Sequence, residues 1–262
     1  TGAKTYTGPT IVNGGRLRMS LAAAATGTSS FTIAAGGQLT LISASTYTLG
    51  PGSLTLNGNG AVSGPFAAFP GAIRNDTNLT ATVTNAVNLQ STASIHVQGS
   101  ATGSMTFSGP VSGIGGLIAG ANPHDANLGQ LVLSGSNSYS GGTTARAGSL
   151  VAAGTSVNAF GTGDVTVESA SLVFAGSQAR ISIQTGATNA IDDGAYLFLN
   201  GGGTAGVADD GHADLGAGIN ETVRRLYFDG SVQLAGTYGS SSSAATYQSD
   251  EYFSGTGIVT VL

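Results

Sequence analysis

The chain contains no cysteine, a single lysine and few charges of either sign, and each shortage removes a class of explanation. Without cysteine there are no disulfides, no thiolate metal sites and no cysteine nucleophile. The absence does not argue against secretion, because a chain that crosses an oxidising compartment unfolded benefits from having no thiols to cross-link. Charged residues make up 8% of the sequence, where about a quarter is usual. The basic residues, Lys4 and seven arginines, are scattered, with only Arg224 and Arg225 adjacent. No clustered basic face is available to neutralise phosphates, which disfavours nucleic acid and, for the same reason, a membrane surface. No stretch approaches the roughly 20 apolar residues of a transmembrane helix, and the run from Leu21 to Ala25 is far too short. No signal peptide is visible at Thr1, so an exported protein would be read here in its mature form.

What is abundant is glycine, with 43 residues, beside a hydrophobic share of 40% and a net charge of -5. A disordered chain would pair low hydrophobicity with high net charge, so a folded chain is expected. Its polar surface must come from Ser, Thr, Asn and Gly, which suit turns and the outward faces of strands. At 262 residues the chain can bury a sizeable core, and the composition reads as all-β.

Two segments align without a gap. Gly2, Tyr6, Gly8, Thr10, Gly15 and Leu17 coincide with Gly135, Tyr139, Gly141, Thr143, Gly148 and Leu150. A shorter signal, a Gly followed by apolar residues two and four positions later, recurs as Gly15-Leu17-Met19, Gly37-Leu39-Leu41, Gly52-Leu54-Leu56, Gly129-Leu131-Leu133, Gly163-Val165-Val167 and Gly257-Val259-Val261. Each copy reads as a period-two strand entered through a turn. Short strands at this spacing fit an antiparallel sandwich or barrel, or a solenoid of stacked coils. The pairs Asn13-Gly14, Asn57-Gly58 and Asn59-Gly60 are hairpin signals that keep the sandwich open. The repeated unit of strand, Gly-x-x-x-Tyr-x-Gly turn and Gly-x-Leu strand favours the solenoid, since it describes one coil. No long helix is expected; Leu21 to Thr26 is flanked by residues that would end one.

On these residues the stretch from Leu131 to Val167 resembles the autotransporter-associated β-strand repeat of bacterial passenger proteins, and Thr1 to Met19 resembles the same repeat without its first strand. The block from Ile219 to Leu262 is similar to the ending of many exported repeat proteins of this kind. The resemblance implies a right-handed parallel β-helix, secretion, and a surface role in adhesion or scaffolding. No translocator barrel accompanies it in this sequence.

Candidate chemistry is sparse. Asp209, Asp210, His212 and Asp214 place three carboxylates and an imidazole close together, a possible set for Ca²⁺ or a transition metal. The spacing matches no calcium loop, and a solvated turn is the plainer reading. His96 and His124 stand alone. The acidic pairs Asp192-Asp193, Asp209-Asp210 and Asp250-Glu251 lie in Gly- or Ser-rich turns rather than in a converging cluster, so no catalytic site and no cofactor is expected. Arg224 and Arg225 follow Glu221, and strand alternation would send them to opposite faces. Tyr227, Phe228, Tyr238, Tyr247, Tyr252 and Phe253 crowd near one end, where rings could stack on sugars or, more simply, cap a solenoid. The acceptor patterns at Asn75, Asn78 and Asn220 are uninformative in a chain this rich in Thr and Asn.

The expected architecture is therefore all-β, a single-domain right-handed parallel β-helix with coils over 1–218 and a more irregular, aromatic-rich cap or interface segment over 219–262. About a dozen coils of around 20 residues at ~4.8 Å would give a body roughly 55 to 60 Å long. Leu17, Leu39, Leu54, Leu131, Leu150 and Val165 should point inward as one ladder, and Pro65, Phe66, Phe69 and Pro70 should interrupt the coils. The expected function is a structural subunit of an extracellular filament or surface layer, with an adhesin for glycan or host surface as the rival and a polysaccharide-degrading enzyme as a third class. The expected partner is the protein itself. The interface is placed at Thr1, Gly2 and Tyr6 on one side and Ile258, Val259, Val261 and Leu262 on the other, the strand absent from the first repeat being supplied by a neighbour.

Overall fold

The computed structural model describes residues 6–20, 27–61, 70–76, 78–98, 103–120, 129–169 and 178–262. Among them there are strands and turns and no helix. In chain order, with turns of the coil separated by semicolons, they are β1 (Thr10–Met19); β2 (Phe31–Leu41) and β3 (Ser45–Tyr47); β4 (Leu54–Gly58), β5 (Ile73–Asn75) and β6 (Thr80–Val83); β7 (Val87–Val97) and β8 (Ser104–Phe107); β9 (Val111–Ser112), β10 (Leu117–Ala119) and β11 (Gln130–Leu133); β12 (Thr143–Ala145) and β13 (Gly148–Ala152); β14 (Val165–Val167) and β15 (Ala179–Ile183); β16 (Tyr196–Leu199) and β17 (His212–Leu215); β18 (Asn220–Val223) and β19 (Arg225–Phe228). Then follow β20 (Ser231–Val232), β21 (Gly236–Gly239), β22 (Tyr247–Gln248), β23 (Phe253–Gly255) and β24 (Ile258–Val261).

These strands form a parallel β-solenoid. One sheet runs from β1 to β19 and closes on β20, a second runs from β3 to β23, and a third holds β18, β24, β21 and β22. From β1 to β19 each strand pairs in parallel with its counterpart one coil away, as in Leu131 against Leu150 or Val165 against Leu197. The antiparallel alternative is thereby excluded for the body. The Asn-Gly pair at Asn57-Gly58 marks an irregularity between Leu56 and Gly58 in a parallel pair, not a hairpin.

Alternation along each strand sends every second side chain inward, and register stacks those side chains into columns. One column runs Leu17, Leu39, Ile73, Ile95, Ala119, Ala145, Val167, Leu199 and Phe228. Another runs Ala81, Met105, Leu131, Leu150, Ile181, Ala213 and Phe253. The six expected inward residues thus fall into separate columns rather than one ladder, because the coil has more than one strand-bearing face. Five of them are fully buried or nearly so, and Leu17 is half-buried at the end coil.

The expected coil number needs correction. The first sheet stacks nine parallel strands from β1 to β19, whose spacings at ~4.8 Å give a body of roughly 35 to 40 Å. Coils are longer than the repeat suggested: Leu131 and Leu150 bound the shortest, whereas Ala213 and Phe253 bound a coil that also carries β18 to β22. Pro65, Phe66, Phe69 and the Leu21 to Thr26 run lie outside the described residues.

Corners are fixed from inside. The buried Asn85 amide donates to the carbonyls of Leu49, Gly50 and Gly52 and accepts from the Leu49 N–H. Asn137 accepts from Val111 N–H at 2.8 Å and donates to the Ala159 carbonyl at 2.7 Å, so one side chain ties the coils on either side of it. Glu221 plays a related part by accepting from Ile191 N–H at 3.0 Å. Gly120 turns another corner at φ +83, where an added Cβ would lie 2.3 Å from the Ala147 carbonyl oxygen.

Parallel stacking ends at antiparallel strands. β20 folds back on β19, and β21 runs antiparallel to β24. Phe228 stacks on Tyr252 at 4.0 Å and meets Tyr238 and Phe253 edge-on, while Tyr238 stacks on Tyr247 at 4.9 Å. These rings cover apolar side chains of the final coils that would otherwise face water.

Candidate functional site

The Asp209 to Asp214 cluster is built into the fold. Asp210 is buried and accepts from Ser169 Oγ at 2.9 Å and from Ala179 N–H at 2.7 Å. Asp209 takes the Thr204 N–H, and Asp214 bridges the hydroxyls of Ser182 and Ser254 on the two neighbouring coils. His212 is buried opposite Arg180, and loss of hydration followed by that positive charge holds its imidazole below the ordinary value. Among the described residues no group of three His, Asp or Glu side chains converges in a way that could hold a metal ion. The three carboxylates therefore hold loops and coils together, each facing a different partner, and His212 packs beside them in the interior.

The other acids behave alike. Glu251 accepts from the N–H groups of Gly202 and Gly206, and Asp250 from Ser241 N–H at 2.7 Å. Burial pushes the Glu221 carboxyl above its ordinary value, while its neighbour Asn220 on the same strand is exposed. His96 is buried, and His124 lies outside the described residues.

The expected assembly residues divide. Thr1 and Gly2 lie outside the described residues, Tyr6 is exposed, and Leu262 is exposed beyond β24. Ile258 to Val261 is not an open edge: β24 pairs with β18 on one side and β21 on the other. The reason is that β21 folds back antiparallel over the position a neighbour's strand would need. At the opposite end β1 pairs with β2 alone among the described residues.

The aromatic residues also divide, and the sequence reading drew the line in the wrong place. Phe228, Tyr238, Tyr252 and Phe253 form the cap, with Tyr252 Oη donating to Asp229 at 2.6 Å; burial and that carboxylate push the phenol well above its ordinary value. Tyr227 belongs to a different group. It projects from the outer face of the first sheet, stacked on Phe198 at 4.6 Å with rings 15° from parallel and 6.0 Å from the Tyr196 ring. Arg224 lies 5.8 Å from the centre of the Tyr196 ring, and Arg225 is in register with Tyr196. Arg224 and Arg225 are both exposed, correcting the expectation of opposite faces, because Arg224 occupies the bend between β18 and β19 where alternation breaks. The signal for Tyr196 and Phe198 was present in the Tyr-Leu-Phe-Leu alternation of β16, which buries both leucines and turns both rings outward.

The two aligned segments share a side-chain device. Tyr139 Oη and Thr143 Oγ1 are 2.6 Å apart, and Tyr6 Oη and Thr10 Oγ1 are 2.8 Å apart. Tyr139 is fully buried, with its phenol pushed far up by loss of hydration, whereas Tyr6 is 46% exposed. The hydrogen bond closes the turn that precedes the inward Gly-x-Leu strand. Both segments match the passenger-associated-transport-repeat, over residues 1–19 and 126–152. The resemblance expected from the sequence thus holds over the first segment and over the first part of the Leu131 to Val167 stretch, and residues 153–167 and the block from Ile219 to Leu262 lie outside the matched residues. No curated protein and no solved structure matches the chain. No helix among the described residues is long and apolar enough to cross a membrane.

Proposed function

We propose that this chain is a structural, non-enzymatic solenoid of an exported passenger-type surface protein, a rigid body whose far end is closed by its own cap. The observation that carries the reading is the use made of the acidic residues. Asp209, Asp210, Asp214, Glu221, Asp250 and Glu251 each accept hydrogen bonds from the protein's own N–H or O–H groups, so they brace coils instead of converging on a substrate. The matched repeat, by its description, belongs to passenger and transport contexts, which supports export and a surface location. Protease shaving of intact producing cells tests the location: loss of the chain before any cytoplasmic marker is expected, and survival on intact cells with cleavage in lysates would reject it. Release of new reducing ends from a panel of polysaccharides would reject the non-enzymatic part.

A second reading, assembly with copies of itself, has one observation in its favour. Tyr6 is exposed although its counterpart Tyr139 is fully buried, and Val12 and Leu17 are half-buried in the same coil, so the β1 end lacks a covering neighbour among the described residues. Addition there would satisfy bare strand edges. In a head-to-tail polymer β21 would have to yield its place on β24. Sedimentation velocity over a concentration series decides: growth into polymers supports assembly, and a monomer at high concentration removes it.

A further inference from the structure

The outer-face patch of Tyr196, Phe198, Tyr227, Arg224 and Arg225 is not used by the fold's core, and it differs from the rest of the surface. The two preceding outward positions in register with Phe198 are small and polar: Thr166 lies one coil back and Thr144 a coil before that, with the apolar Ile118 only beyond them. Phe198 and Tyr227 therefore stand as a wall above a low threonine floor. Phe198 is covered by Tyr227 on one face, and its other face is turned toward the Thr166 coil. Next to Tyr227 in register is the exposed Val232, which extends the apolar rim.

Charge identifies the occupant. The chain as a whole is acidic, with net charge -5, yet its one adjacent pair of basic residues flanks these rings. Neither Arg224 nor Arg225 forms an ion pair among the described residues. The nearby acids are held by hydrogen bonds and not by these arginines: Asp164, at the edge of the patch, accepts from the Tyr196 N–H at 2.8 Å, and Asp229 takes the Tyr252 hydroxyl. Two guanidinium forks beside aromatic faces suit a ligand that is planar-anionic at one point and apolar-faced at the next. A guanidinium pairs with a carboxylate through two parallel hydrogen bonds. The C–H face of a pyranose ring packs against the electron-rich face of an aromatic ring. A uronic acid combines both in each unit.

We propose that this patch binds an acidic, uronate-type polysaccharide, with Phe198 and Tyr227 as the stacking wall and Arg224 and Arg225 as carboxylate clamps. The proposal goes beyond the scaffold role and stands or falls separately from it. The test is calorimetric titration of the whole chain with polygalacturonate oligomers, with dextran oligomers as neutral probes and heparin oligomers as sulfated ones. Saturable binding of polygalacturonate and none of dextran is expected. Tyr227→Leu, which keeps bulk and removes the ring, should weaken it roughly tenfold. Arg224→Glu combined with Arg225→Glu should abolish it, with the melting temperature of this double variant unchanged because both side chains are exposed. Four results would overturn the proposal: no binding of polygalacturonate, equal binding of dextran, tighter binding of heparin, or full affinity in Tyr227→Leu. Dimerisation of the chain through this face, seen by sedimentation and lost in the arginine double variant, would assign the patch to a protein contact instead.

Discussion

Replacing Asn137 by alanine isolates what one buried amide contributes to coil stacking. Asn137 is buried between coils, its oxygen on Val111 N–H and its nitrogen on the Ala159 carbonyl. Alanine leaves both backbone groups without their side-chain partner at a buried site, since Ala159 and Val111 are themselves fully buried. Each orphaned group costs about 1–3 kcal/mol, so the loss from the two should total roughly 2–6 kcal/mol. For a chain of this size that lowers Tm by on the order of 5–15 °C in a differential scanning measurement. Asn137→Asp sharpens the test. It keeps an acceptor for Val111 N–H but sets a carboxylate against the Ala159 carbonyl, so it should be at least as damaging at neutral pH. Acidification should restore part of the loss, since a protonated carboxyl can donate to Ala159. Asn220→Ala, which removes an exposed contact to Thr260, serves as control and should stay within about 0.5 kcal/mol. An Asn137→Ala variant that melts within a degree of the parent would refute the idea that the amide is a tie between coils.

Three further outcomes are expected. Raising salt to about 1 M should leave Tm nearly unchanged, because the ion pairs Arg18–Asp76 and Arg146–Glu168 are partly exposed and such pairs contribute little; a large salt-induced drop would show that electrostatics had been misjudged. Glu221 has a raised folded-state pKa, so its contribution is fully present below the ordinary carboxylate value and is lost as pH rises through the folded one. The Tm difference between parent and Glu221→Gln should therefore shrink or reverse in the variant's favour from pH 5 to pH 8, and a difference independent of pH would contradict this. Leu197→Ala, in the middle of the column formed by Val165, Leu197 and Leu226, should cost about 2–5 kcal/mol in chemical denaturation.

Much of the body was legible because its physics is periodic. The Gly-x-apolar-x-apolar copies at Leu39, Leu54, Leu131 and Val165 are inward strands, since alternation and burial obey the same period of two. The coil number was not legible, because an excursion such as the one between Ala213 and Phe253 changes sequence spacing without changing the stacking of the strands it joins. Asn85 and Asn137 were missed for a related reason. An Asn in a Gly-rich stretch reads as a solvated turn residue, and only the folded corner reveals that its amide faces inward. The aromatic patch was half visible: Tyr227 stood out by its neighbours in sequence, but its partners Tyr196 and Phe198 come from the preceding coil. Chain proximity grouped Tyr227 with the cap rings, whereas register groups it with β16.

The position of β24 between β18 and β21 has a consequence for timing. Residues 220–223 and 236–239 leave the ribosome before residues 258–261, yet they meet through those later residues and not directly. Until the later segment arrives, two strand edges wait side by side with nothing between them, open to any passing segment of β propensity. A product stopped short of Ile258 would carry this gap permanently and should be marked by it, binding strand-seeking chaperones or aggregating while its earlier coils are already formed. Completion of the third sheet thus works as a clock, and the moment when β24 slides into place separates a chain that is still sticky from one that is finished.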